Sequence, residues 1–335
     1  MAGNKSLTAA AKAKQDEFYT QLSDIEEEMR YYREQFRDKV VLCNCDDPRC
    51  SNFFRYFVNQ FESLGLKKLI TIGYGGNGGR GILFEYSGGD VPSPGEINVR
   101  ELEGDGDFRS PECIEYLKAA DIVVTNPPFS LFRAYIAQLM EFDKRFIILG
   151  NMNAVTYKVV FPLFRDGKVW YGPSLHSGGV WFRIPDHYIV RTSNYKEDSE
   201  GNRYVKLDCI RWFTNLDHEK RHKELALVKS YAKEPERYPR YDNYDAINVD
   251  RYKDIPGDYY GVMGVPITIF DHYSPDQFEI LAKAGRGEFP GLKTKTYGPN
   301  DYPNYSDLNA GPTIWVDGKL KNTYARILIR RRKNN

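Results

Sequence analysis

The sequence predicts an α/β fold built on a mainly parallel sheet, followed by a smaller region of different character. Two observations carry that expectation. Between residues 39 and 164, short apolar runs alternate with segments whose apolar residues recur at helical spacing. Strands buried on both faces read as continuous apolar runs, and the helices covering them show one apolar stripe. After Asp166 the pattern turns to β-branched and aromatic stretches separated by turn residues, the mark of hairpins.

The elements follow in order. Residues 1–15 are small, polar and basic and read as a flexible arm. Within 16–36, Leu22, Ile25, Met29 and Tyr32 stand at helical spacing. Residues 39–43 form an apolar strand that ends in a turn over 44–48. Phe54, Phe57, Phe61 and Leu64 mark one face of a helix over 51–64. A strand at 67–72, a helix at 114–119, a strand at 121–125, a helix at 131–142, a strand at 145–149 and a helix at 155–164 continue the alternation. The stretches 180–190 and 204–216 predict a hairpin about a turn at 196–203. Residues 231–260, dense in Tyr, Pro, Asp and Arg, read as a linker or loop-rich region, and 261–332 returns to strands with one short helix at 275–284. The expected division is an arm (1–15), a catalytic domain (16–225), and a linker with a recognition region (226–335).

Composition sets bounds. With 41% hydrophobic and 28% charged residues the chain suits a water-soluble globule. It has no run of about 18 apolar residues and no apolar leader, so a cytoplasmic protein without a membrane span is expected. A formal net charge of +1 neither announces nor excludes nucleic acid. The basic tail of Arg330, Arg331, Arg332 and Lys333 reads as a solvated end. Five cysteines give no disulfide framework. Cys43, Cys45 and Cys50 cluster without paired spacing or a nearby histidine, so they read as small residues in and after a strand, and no metal site is expected.

The chemistry concentrates where strands end, which is where sheets of this kind bind ligands. The apolar strand ending at Thr125 runs straight into Asn126, Pro127, Pro128 and Phe129. Two prolines fix φ and remove donors, so the asparagine side chain and the proline carbonyl project from a stiff turn. That arrangement suits an amino group on a planar heterocycle. An adenine amine is a poor nucleophile because its lone pair is delocalised. Acceptance of its hydrogens by the Asn126 oxygen and the Pro127 carbonyl draws the nitrogen toward tetrahedral geometry and stabilises charge developing on it. Phe129 would then stack on an extruded base. Two more polar turns lie at strand ends: Asn44, Cys45, Asp46 and Asp47, and then Gly104, Asp105, Gly106, Asp107 and Phe108. Their carboxylates suit ribose hydroxyls or an amine, and Phe108 a purine face; as solvent-facing turns they would be unremarkable.

These motifs, in this order, resemble adenine-specific DNA methyltransferases. The pairing of Asn44, Cys45, Asp46, Asp47 and Pro48 with Ser51, Asn52, Phe53 and Phe54 is similar to the EcoRI type in particular, as is Asp16 to Thr20 at the start. The resemblance is continuous over residues 16–165 and looser beyond. It implies a Rossmann-like domain binding S-adenosylmethionine, with Phe18, Tyr19 and Thr20 closing over the cofactor. It also implies a downstream target-recognition region including 261–270, duplex DNA as substrate, and a monomer, with a restriction endonuclease of the same specificity as a candidate companion. The chain departs from most methyltransferases in lacking a glycine-rich turn after its first strand.

Two further motifs are read against their surroundings. Gly73, Gly75 and Gly78 satisfy G-x-G-x-x-G, but residues 81–86 read as a strand where a dinucleotide site needs a helix. His218, Glu219 and His222 satisfy H-E-x-x-H, but 217–223 is almost wholly charged and should be solvated, unlike the buried helix of a zinc peptidase. Basic and aromatic residues interleave at Arg237, Tyr238, Arg240 and Tyr241 and at Lys293, Lys295 and Tyr297. Of these, Arg237, Arg240, Lys293 and Lys295 are the candidate phosphate contacts. Trp212 and Phe213 are candidates for the base pocket or, more simply, for the core. Methylation of RNA or of a protein glutamine amide, and a non-catalytic DNA-binding module, are the alternative readings. The 110 or so residues after Lys223 favour DNA.

Overall fold

The computed structural model describes residues 18–333 apart from 77, 93–96, 98, 177, 187, 191, 286–290 and 324. The expected arm, Asp16 and Glu17 of the first motif, and Asn77 of the glycine-rich turn lie outside the described residues. The chain divides into two compact units. One runs to Ala154 and resumes over Val169–His218; the other comprises Val155–Lys168 and the chain from Glu219 onward. The boundary therefore differs from a single cut after 225, because 155–168 packs with later residues. Lys283 Nζ donates to the Thr156 carbonyl at 2.5 Å, and the Phe164 and Phe270 rings lie 5.1 Å apart.

The first unit contains strands β1 (Val40–Cys43), β2 (Lys68–Gly73), β3 (Ile82–Tyr86), β4 (Arg100–Glu101), β5 (Ile122–Thr125), β6 (Arg145–Asn151), β7 (Trp170–Tyr171), β8 (Val180–Arg183), β9 (Tyr195–Glu197), β10 (Arg203–Leu207) and β11 (Ile210–Thr214). Its helices are α1 (Leu22–Met29), α2 (Asn52–Asn59), α3 (Phe61–Leu64), α4 (Pro111–Ala119) and α5 (Phe132–Glu141). Local chemistry sets the ends. Ser51 Oγ accepts from the Phe53 and Phe54 amides to cap α2, and Ser110 accepts from Cys113 to cap α4 with Pro111 in its first turn. Gly65, at φ +61°, closes α3.

Eight strands form one mixed sheet in the order β4-β3-β2-β1-β5-β6-β11-β7. β2, β1, β5 and β6 run parallel, while β3, β4, β11 and β7 join through antiparallel pairs, so the expected parallel sheet is confined to its centre. A second sheet has the order β8-β10-β9. The expected strand over 204–216 is in fact two. The chain breaks at Asp208 and Cys209, the latter at φ +63°, and β11 crosses into the large sheet to pair with β6 while β10 stays with β8. Trp212 and Phe213 are fully buried on β11, with Phe53 edge-on to Trp212 at 6.1 Å, so both serve the core.

The second unit contains α6 (Phe161–Arg165), α7 (Tyr305–Leu308), β12 (Ile247–Asn248), β13 (Val262–Pro266), β14 (Phe278–Ala284), β15 (Thr313–Val316), β16 (Lys319–Asn322) and β17 (Arg326–Arg331). β12-β13-β17-β14 form one sheet and β15-β16 a hairpin. Three expectations are corrected here. The helix over 275–284 is strand β14, whose side chains alternate strictly between buried and half-buried. The basic tail is solvent-facing as expected, with Arg330, Arg332 and Lys333 exposed, although its first two residues end β17: Arg330 pairs with Glu279 at 2.7 Å and Arg332 Nε donates to the Pro275 carbonyl. The segment 231–260 is loop-rich but is no linker, because Tyr238, Tyr241, Tyr244, Ile247, Val249 and Ile255 are buried in the unit's core. The helix expected over 155–164 shrinks to a 3-10 turn, Met152–Thr156, and the five residues of α6.

Candidate active site

β1 leads to β2 on one side, while its other neighbour, β5, leads to β6. Adjacent parallel strands whose connections diverge leave a crevice at their C-terminal ends. The turn beginning at Asn44 leaves from β1 and the turn beginning at Asn126 leaves from β5, so the two motifs meet there.

Asp46 ties these ends together. Its Oδ2 accepts from Thr125 Oγ1 at 2.6 Å and its Oδ1 from Ser51 Oγ at 2.9 Å, linking the β1 turn, the residue before Asn126 and the cap of α2. Burial pushes its carboxyl up to about 6, with the two hydroxyl donors opposing. Both oxygens are thus already engaged within the chain. Asn44 is buried; its Oδ1 accepts from the Tyr135 hydroxyl, while its Nδ2 is buried without a partner. Asp47 is held by Arg49 at 2.6 Å.

Across the crevice, Asn126 donates from Nδ2 to the Phe18 carbonyl at 2.7 Å, which fixes the plane of the amide. Its Oδ1 is buried and accepts no hydrogen bond. Pro127 is buried, and the Leu131 amide donates to the Pro128 carbonyl at 2.9 Å, folding the chain into the turn Phe129–Leu131. Phe129 is stacked on Phe18 (5.9 Å, 29°) and stands edge-on to Phe182 (6.4 Å, 85°); Tyr188 completes the cluster 5.7 Å from Phe18.

The first motif is anchored around this cluster. Tyr19 exchanges backbone hydrogen bonds with Arg183 on β8, and the Thr20 carbonyl accepts from Asn52 Nδ2 at 2.8 Å. Thr20 Oγ1 is buried and unpartnered. The loop from Gly104 closes the other side. Asp105 Oδ1 accepts from the Asp107 amide, Asp107 pairs with Arg109 at 2.5 Å and is held below the usual carboxylate range by it, and Phe108 packs edge-on to Tyr135 at 4.9 Å. Gly106, at φ +81°, lies against Gly73 and Gly81, where an added Cβ would stand 2.8 Å from the Gly73 carbonyl oxygen. That close approach explains the glycine at 81, whose Cβ would stand 2.6 Å from the Gly106 backbone, whereas a Cβ at 73 would meet Ile82 and the Asp47 backbone; β3 follows as the expected strand.

Sequence reading missed Thr125, Ser51, Tyr135, Phe182 and Tyr188. Phe182 was within reach, since Val180, Phe182 and Ile184 alternate as one buried face. Thr125 and Ser51 stand next to the two motifs in sequence but carry no signal of their own there, while Tyr135 and Tyr188 reach the site only through contacts distant in the chain.

The remaining motifs behave differently. Among the described residues no group of three or more His, Cys, Asp or Glu side chains is placed to hold a metal. His218 is buried rather than solvated, its Nε2 3.0 Å from the Tyr171 carbonyl, because Tyr32 and β7 enclose it. His222 lies 2.9 Å from Asp276. Three of the four candidate phosphate contacts hold acids of their own unit: Arg237 with Glu234, Arg240 with Asp245 and Lys295 with Asp242. Lys293 bridges Tyr244 through the backbone. Tyr238, Tyr241 and Tyr297 are buried, as are Met263, Val265, Ile269 and Phe270 of the expected recognition stretch. No helix among the described residues is long and apolar enough to cross a membrane.

The family model described as adenine-specific methyltransferase EcoRI matches residues 6–332. The chain belongs to that family. It is 51% identical to the type II methyltransferase M.EcoRI of Escherichia coli over 291 residues, which cover 84% of this chain and 89% of that one. It is 37% identical to the type II methyltransferases M.MpnI of Mycoplasma pneumoniae and M.MgeORF184P of Mycoplasma genitalium, each across 97% of this chain and 98% of theirs. No solved structure matches. Membership extends the resemblance beyond 165 to nearly the full length.

Proposed function

We propose that the chain methylates the exocyclic amine of an adenine turned out of duplex DNA, with S-adenosylmethionine as donor, as the modification enzyme of a restriction-modification pair. Family membership carries the reaction class. The observation that supports the catalytic assignment is the buried, unpartnered Asn126 Oδ1 beside an aromatic cluster. A buried acceptor without a donor costs roughly 1–3 kcal/mol, which a ligand amine would recover.

Asn126 Oδ1 and the Pro127 carbonyl accept the two amine hydrogens. The Nδ2 bond to Phe18 holds the amide so that Oδ1 points one way. As the N–C bond forms and the S–C bond breaks, positive charge on the nitrogen meets two fixed dipoles, and the proton leaves afterwards to water. Pro128 stiffens the turn and Phe129 stacks on the base, in the place Phe18 now holds against that ring.

The donor's groups fit the chain's own orphans. Thr20 Oγ1 and Asn44 Nδ2 are buried without partners at this crevice, and in this reading Tyr19, Asp46, Asp47, Asp105, Gly106, Asp107 and Phe108 also bind the donor, the carboxylates through lone pairs that their bonds to Thr125, Ser51, Arg49 and Arg109 leave over. When bound, S-adenosylmethionine supplies a methyl group on a sulfonium. The parallel centre of the large sheet, with its switch point between β1 and β5, supports a Rossmann-like methyltransferase sheet. In this reading the second unit recognises the target sequence, Arg237, Arg240, Lys293 and Lys295 meet phosphates after leaving their internal partners, and the enzyme works as a cytoplasmic monomer beside a nuclease of the same specificity.

The test is methyl-labelled S-adenosylmethionine with duplex DNA. Label should appear on adenine, and Asn126→Ala should abolish transfer. Label only in RNA or protein, or undiminished label with the alanine variant, would overturn the assignment. Protection of the modified DNA against a panel of restriction endonucleases then identifies the site.

A further inference from the structure

The sheet β8-β10-β9 presents two unlike faces. Alternation sends Val180, Phe182, Val205 and Leu207 to a buried face, where Phe182 reaches Phe129. Trp181, Arg183, Tyr204 and Lys206 go to the other face, and Lys196 of β9 joins them opposite Tyr204. This outer face carries three cations and two aromatic rings. Arg183 and Lys196 are exposed and Lys206 half-buried.

None of the three has a carboxylate partner among the described residues. Lys196 Nζ instead sits 4.6 Å from the Trp181 ring centroid and 5.3 Å from that of Tyr204, which positions the ammonium without neutralising it. Trp181, Lys196 and Tyr204 of this face line a recess of about 420 Å³ together with Asp24 and Asp198. Asp198 accepts from Asn202 and Tyr204 side chains and from two backbone amides, which hold its carboxylate in its own turn without an ion pair to Lys196. Glu197 stands opposite Arg203, on the other face. By contrast, Arg237, Arg240 and Lys295 each hold an acid and must break an ion pair before meeting a phosphate. Unpaired cations on a firm platform need no such exchange.

Resting on the reading of duplex DNA as substrate, we propose that this outer face binds the phosphodiester backbone of the DNA through Arg183, Lys196 and Lys206, on the side of the sheet opposite the Phe182 ring that packs against Phe129. Each phosphate contact releases counterion and contributes about 0.9 to the slope of log affinity against log salt. The experiment measures affinity for a target-bearing duplex from 50 to 200 mM salt, for the wild type and for R183Q/K196Q/K206Q. The triple variant should have a slope shallower by about 2.7, so that the wild type loses about 40-fold more affinity across that range. R183Q and K206Q alone should each flatten it by about 0.9, and R183K/K196R/K206R should restore it. Retained binding of labelled S-adenosylmethionine shows that each variant is folded. An unchanged slope in folded variants of an enzyme that still methylates duplex DNA would overturn this surface alone. A wild type that transfers nothing to duplex DNA would instead overturn the reading on which it rests.

Discussion

Replacing Asp46 by asparagine isolates the cost of holding a carboxylate between Thr125 and Ser51. Its ordinary value of 3.8 is raised to about 6 by burial. The sign follows from linkage. Below pH 4 the group is protonated in both folded and unfolded chains and contributes nothing. Between pH 4 and 6 the folded protein keeps a proton that the unfolded chain has released, so stability falls as pH rises. Above about 6 the penalty is constant. A displacement of this size corresponds to about 3 kcal/mol, and because the residue keeps some contact with solvent, ~1–3 kcal/mol is expected. Asparagine has the same shape but no charge. Its amide oxygen accepts one hydroxyl, while its nitrogen donates to the other, which turns to accept. Urea denaturation of both proteins at pH 4.5 and 7.5 gives the comparison. Relative to wild type, Asp46→Asn should gain ~1–2 kcal/mol between the lower and the higher pH, whatever its absolute stability. A difference that does not move with pH would show that Asp46 ionises as an exposed carboxylate does, and the account of the crevice as enclosed would fail.

Three further outcomes are expected. Phe129→Ala should weaken binding of a duplex whose target adenine is mismatched by about 1–3 kcal/mol, while a duplex with an abasic target site binds equally well to both proteins; equal losses on both would refute stacking. Gly106→Ala places a Cβ 2.8 Å from the Gly73 carbonyl at φ +81° and should cost about 2–4 kcal/mol in chemical denaturation; a loss under about 1 would show that the loop yields freely. Trp212→Ala removes a fully buried indole between the sheet and α2 and should cost about 3–5 kcal/mol by the same measurement.

The central strands and the catalytic turn were legible because their signals are local. β1, β2, β5 and β6 are apolar runs of the right length, and a stiff Asn126-Pro127-Pro128-Phe129 turn at a strand end follows from the properties of proline. Errors fell where two local readings compete. Residues 278–284 contain apolar positions compatible with a helix or a strand, and pairing with β17 decided for the strand. The stretch 204–216 looks continuous because β-branched and aromatic residues fill both halves. Only Cys209 in the left-handed region reveals that the chain changes sheets there.

The residues themselves, then, determined the central strands β1, β2, β5 and β6, which turns carry polar groups, and that one turn suits an amine on a planar ring. Tertiary structure decided which of those groups are available. It put Thr125 and Ser51 on Asp46, gave Arg237, Arg240 and Lys295 their acids, and left Asn126 Oδ1 without a hydrogen bond and, among the described residues, Arg183, Lys196 and Lys206 without a carboxylate. The reason is physical. A side chain's chemistry is fixed by its identity, but its hydration and partners depend on atoms far away in the chain, and these settle whether a polar group is spent on the fold or kept for a ligand.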